Sequence, residues 1–148
     1  MHSAHKLALA GVFVSVLVGP FAAAAQAPQD VPAYHAKAPK ASEKLAPILK
    51  PEELPAPSRQ YPFQVKAYQI AARIQRVLYQ LPCYCRCDRS VGHTSLRDCY
   101  ATTHGANCST CLQELFYTER MLKQGKTAEQ IRAGIEHGDY QSVDLQKI

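Results

Sequence analysis

The sequence predicts a small all-α domain of about three principal helices around a cysteine-rich loop, preceded by a disordered proline- and alanine-rich tether. Three observations carry that prediction. Apolar residues recur every three or four positions from Phe63 to Leu78 and again from Leu112 to Leu122, which is the period of an amphipathic helix and not of a strand. All six cysteines fall between Cys83 and Cys111. Seven prolines lie between Pro28 and Pro57 with no periodic apolar face among them, the composition of a semi-stiff spacer.

The chain opens with Lys6, an apolar run from Leu7 to Val18, Gly19-Pro20, and the small residues Ala22 to Ala25. These are the parts of a secretory signal in order, with cleavage expected after Ala25. The run is too short to span a bilayer, so the mature protein is expected to have no membrane span and to be periplasmic or secreted. No cysteine lies at the expected cut for lipid attachment. Residues 26–58 then form the linker, only weakly basic and expected to be solvated. The cysteine-rich helical domain occupies residues 59–140, and residues 141–148 are a tail.

Within the domain, Tyr61-Pro62 starts a helix that carries Phe63, Val65, Tyr68, Ile70, Ala71, Ile74, Val77 and Leu78 on one face. Leu81-Pro82 stops it, because the residue before a proline is pushed out of the helical region. From Cys87 to Asn107 the breakers Gly92 and Gly105 indicate a site-forming loop with one short helical turn, N-capped by Ser95 and reaching Cys99. Asn107 is the expected N-cap of the next helix, on which Leu112, Leu115, Phe116 and Leu122 share a face, with Gly125 as its stop. Thr127 with Gln130 fits a capping box for a last helix that uses Ile131 and Ile135 and ends at Gly138.

The chemistry is concentrated in Cys83, Cys85, Cys87, Cys99, Cys108 and Cys111. Cysteines at i, i+2 and i+4 point the same way only on an extended backbone, and neighbours in such a run do not pair without strain. The spacing therefore favours shared coordination of a soft metal over a ladder of disulfides. Cys108 and Cys111 sit at a predicted helix start, where backbone N–H groups stabilise a thiolate. Such a pair serves as a metal clip, a redox dithiol or a structural disulfide. Leu112 follows the second cysteine where covalent haem attachment needs histidine. His93 and His104 both lie between the thiol clusters, and His93 is kept as an extra ligand. Tyr84 and Arg86 are expected to face away from the sulfurs.

Residues 61–148 hold 11 Lys plus Arg against 8 Asp plus Glu, a formal charge of +3. That balance, reduced further by thiolates, gives no support to nucleic-acid binding. The sequence shows no nucleophile triad, glycine-rich phosphate loop or carboxylate pair, so it is read as a binding protein and not as an enzyme.

Pro82-Cys83-Tyr84-Cys85-Arg86-Cys87, followed by Gly92-His93, Asp98-Cys99, Cys108-Ser109-x-Cys111 and Gly125-Lys126-Thr127, resembles the exported bacterial proteins named for a Pro-Cys-Tyr-Cys-Gly-Cys motif, a largely uncharacterised family. Arg86 stands where that motif has glycine, and the lipid-attachment cysteine often seen in those proteins is absent. A narrower similarity covers Cys108 to Ile135, which looks like the thiol-reducing subunit of cytochrome c maturation systems and would make Cys108 and Cys111 a redox pair.

The resulting expectation is an exported protein that holds copper(I) or zinc through Cys83, Cys85, Cys87, Cys99, Cys108, Cys111 and His93. It would handle or buffer the ion at the envelope, with a metal transporter or redox partner there. The alternatives are a dithiol oxidoreductase acting through Cys108 and Cys111, and a disulfide-stapled interaction domain.

Overall fold

A computed structural model describes residues 30–148 of the protein; the expected signal segment and the first tether residues lie outside the described residues. Among the described residues all regular structure is helical: α1 (Pro62–Leu78), α2 (Cys87–Ser90), α3 (His104–Asn107), α4 (Ser109–Lys123) and α5 (Ala128–His137), joined by short 3-10 turns. Three of these are long, as the sequence predicts. None is long and apolar enough to cross a membrane.

Helix α1 starts with Pro62 in its first turn, where a missing N–H costs nothing. It buries Ala67, Tyr68, Ile70, Ala71 and Leu78 and packs mainly on α4. From α4 come Leu112, Leu115, Phe116 and Tyr117, all buried. The Asn107 cap is off by one residue. Cys108 holds the extended N-cap position (φ −123°, ψ 114°), while Asn107 ends α3 and its carboxamide exchanges hydrogen bonds with the Ser58 hydroxyl at 2.9 and 3.2 Å. Helix α5 matches its predicted signals at both ends. The Gln130 N–H donates to Thr127 Oγ1 at 3.3 Å, the Thr127 N–H donates to Gln130 Oε1 at 3.1 Å, and Gly138 closes the helix at φ 91°. Ile131 and Ile135 are fully buried between them.

Residues 30–58 differ from the solvated spacer expected of them. They hold only single 3-10 turns, as their prolines require, yet they lie along the domain. Leu54 is 1% exposed, and Ile48 and Leu49 pack on the core. The Leu49 N–H donates to the Tyr100 carbonyl at 3.0 Å, Arg76 donates to the Pro39 carbonyl at 2.7 Å, and His35 stacks on Tyr79 with ring centroids 3.8 Å apart. Buried Arg97 donates both to the Ala46 carbonyl and to Gln75 Oε1 on α1. The aperiodic apolar residues of this segment fill gaps between helices, a role that leaves no repeat in the sequence. The last residues also fold back, with Gln113 of α4 donating to the Val143 carbonyl at 3.0 Å.

Candidate metal centre

The cysteine run is not extended. The Arg86 N–H donates to the Cys83 carbonyl at 3.2 Å, closing a tight turn, and Arg86 itself is left-handed (φ 61°, ψ 30°) before α2 begins at Cys87. The sulfurs converge through this reversal and not through strand alternation. Left-handed backbone costs a non-glycine residue about 1–2 kcal/mol, which explains physically why a glycine suits this place in the motif. The Arg86 side chain swings outward, 5.6 Å above the Tyr84 ring, and donates to the Asp30 carbonyl. Tyr84 is half-buried and tilts against Tyr140.

Three further segments deliver the remaining ligands. The 3-10 turn Leu96–Tyr100 carries Cys99, and α3 opens with His104. Cys108 caps α4, and Cys111 lies in that helix's first turn with its carbonyl bound to the Tyr100 hydroxyl at 2.8 Å. The sulfur separations are 3.3 Å for Cys83–Cys85, 3.4 Å for Cys83–Cys111, 3.4 Å for Cys87–Cys99 and 3.6 Å for Cys85–Cys111. All six cysteines are free thiols. The ligand atoms of Cys83, Cys85, Cys87 and Cys99 lie within 4.8 Å of one another, as do those of Cys85, His104, Cys108 and Cys111.

All seven residues singled out from the sequence thus meet in one place. His93 belongs to neither group of four, and its Nδ1 lies 3.4 Å from Cys99 Sγ; burial lowers its pKa and favours the neutral imidazole. His104 is in one group, with Nε2 3.3 Å from Cys85 Sγ. The two rings meet edge to face, 5.6 Å apart.

Cys85 is the acceptor of the cluster. Hydrogen bonds from Cys108, Cys111 and Cys83 hold its thiol well below the ordinary value, whereas the hydrogen bonds of Cys111 with Cys108, Cys83 and Cys85 push that thiol upward. The sequence reading missed Glu114, fully buried on α4 beside the run. Its Oε1 accepts from the Tyr84 N–H at 2.7 Å, its Oε2 has no partner, and burial pushes its carboxyl up to about 8. A lone acid on a helix face otherwise made of Cys111, Leu112, Leu115 and Thr118 was the available signal.

The donor set fits a soft ion. Metal–sulfur bonds of about 2.3 Å set tetrahedral ligands about 3.8 Å apart, close to the separations seen between these thiols. Thiolate and imidazole together suit zinc and copper(I) and disfavour hard cations.

The fold and site define a helical domain organised around a cysteine cluster able to hold a metal ion. Residues 33–143 match the family model described as "Protein of unknown function with PCYCGC motif", and the chain belongs to that family. The match reaches well into the proline-rich segment, in keeping with its packing on the helices. No curated protein and no solved structure matches the chain.

Proposed function

We propose that this domain binds a soft transition-metal ion, copper(I) or zinc, and handles or buffers it outside the cytoplasm. The observation that supports this reading is the convergence of six free thiols and the His104 imidazole, drawn from four separate segments, at the spacing of a metal's ligands. Helices alone would not need them there, because leucine or valine would fill the same volume without a titratable group. Binding releases thiol protons, and Cys85 is already biased toward the thiolate. The signal-like sequence before Ala25 suggests export, and an envelope metal transporter is the partner class that such a carrier needs. The role is binding, with no catalytic step assigned.

The test is elemental analysis with a free-thiol count on mature protein purified from its native compartment without chelator, set beside a Cys83, Cys85, Cys87 triple serine variant. Near-stoichiometric copper or zinc that the variant loses supports the reading. No metal and no free thiols would replace it with a disulfide-stapled domain. Disulfide exchange that Cys108→Ser abolishes, with metal irrelevant, would replace it with an oxidoreductase.

A further inference from the structure

We infer that the cluster takes two metal ions joined by the Cys85 sulfur, with His104 as the terminal nitrogen ligand of the second. This rests on the metal-binding reading above and adds the number of ions, the shared ligand and a ligand that the sequence did not select.

The seven donors divide into two fours with Cys85 alone in both. A single tetrahedral ion uses four donors. If it sat among Cys83, Cys85, Cys87 and Cys99, it would leave His104, Cys108 and Cys111 facing the far side of Cys85 with nothing to bind. If it sat among Cys85, His104, Cys108 and Cys111, it would leave Cys83, Cys87 and Cys99 in the same condition. Three buried or half-buried thiols and imidazoles aimed at a common point, with no apolar or hydrogen-bonding task that requires sulfur, indicate a second centre.

The position of Cys85 favours sharing. It accepts from Cys83 at 3.3 Å and from Cys111 at 3.6 Å, one donor from each group, so its lone pairs already point both ways. A thiolate sulfur has lone pairs enough to bridge two soft cations, which an imidazole nitrogen does not. The Cys83–Cys111 contact of 3.4 Å puts the two shells edge to edge. His93 borders the first shell through Cys99 and is placed to donate an N–H to that thiolate, a contact that orients a ligand and steadies its charge.

The probe is cadmium-113 alone, added anaerobically to the reduced full chain labelled with nitrogen-15. Two equivalents should bind and give two cadmium resonances, each split by the other through the shared sulfur, and one of them should couple to the His104 Nε2. Cys108→Ser should lose one of the two equivalents and the splitting together. His104→Ala, a milder change at a partly exposed residue, should shift one resonance only and guards against a serine variant that fails to fold. One equivalent, more than two, two unsplit resonances, or coupling to His93 instead of His104 would overturn the two-ion centre while leaving metal binding standing. No bound cadmium would overturn both.

Discussion

Cys83 Sγ and Cys111 Sγ, 28 positions apart in sequence, stand 3.4 Å from each other, so that the turn after α1 and the first turn of α4 are held at the cluster. The principal helix pair is therefore closed at one end by cysteine thiols as well as by apolar side chains.

Metal should be linked to folding as a result. Reduced protein carrying zinc or copper(I) is expected to melt higher than the chelator-treated reduced protein, by about 2.7 kcal/mol of stabilisation at a free-ion concentration one hundred times the dissociation constant. Paired thermal melts under anaerobic reducing conditions check this. Identical melting temperatures would remove any structural role for the ion.

Arg86→Gly is expected to stabilise the domain slightly, by at most about 0.5 kcal/mol. It relieves the left-handed strain at φ 61°, a gain partly offset by the larger chain entropy of glycine in the unfolded state. The interactions of the arginine side chain with Asp30 and the Tyr84 ring are partly solvent-exposed, and their removal costs less than the strain. Urea titration of the reduced metal-free protein measures the sign, and a clear loss of stability would contradict the turn geometry.

Leu54→Ala discriminates between a docked segment and a free one. At 1% exposure the truncation should cost about 2–5 kcal/mol, whereas in a solvated linker it would cost almost nothing. Denaturant unfolding of the full chain gives the answer directly.

What could be read in the sequence depended on whether the structure leaves a repeat or a cap behind. Helix α5 was legible at both ends because Thr127, Gln130 and Gly138 each do a local job with a known residue preference. Helix α1 was legible from its apolar period and its flanking prolines. The packing of Leu49 and Leu54 was not, since one aperiodic side chain filling one gap has no signature, and nothing in a proline-rich stretch announced buried Arg97 as its anchor. The site's cysteines were evident from their density. Their backbone was misread because the residue that reverses the chain is an arginine here, which hides the left-handed turn that a glycine would have suggested. His104 lay in the same sequence interval as His93, and only the fold brings it to Cys85.

Glu114→Ala should be costly and Glu114→Gln mild. Alanine leaves the part-buried Tyr84 N–H without its 2.7 Å acceptor, worth about 1–3 kcal/mol, and adds a cavity where the fully buried carboxyl was. Glutamine keeps the carbonyl and offers N–H groups in place of an unpartnered oxygen, so it should stay within about 1 kcal/mol. Calorimetry of both variants separates the two.

The docked segment should loosen in acid. The Tyr79 hydroxyl donates to Glu43 Oε1 at 2.6 Å, and that hydrogen bond lowers the Glu43 carboxyl below its ordinary 4.5. A depressed folded-state pKa contributes stability that is present above the ordinary value and lost as pH falls through the folded one. The Tyr79 ring resonances should therefore move toward solvent-exposed positions below pH 4.5, and Glu43→Gln should remove that acid step. Resonances that do not move between about pH 6 and 3 would show that the contact carries no linkage.

Asp30 is paired with Arg86 and Arg89, the two arginines that flank Cys87, so the chain joins the domain on the face that carries the thiols. Ile148 lines a surface cavity together with Lys123 at the far end of α4, a helix whose 15 residues reach about 20 Å. A bulky group attached at Asp30 itself would therefore shade the cluster, whereas immobilisation through Ile148 would leave it open to ions and partners from the bulk.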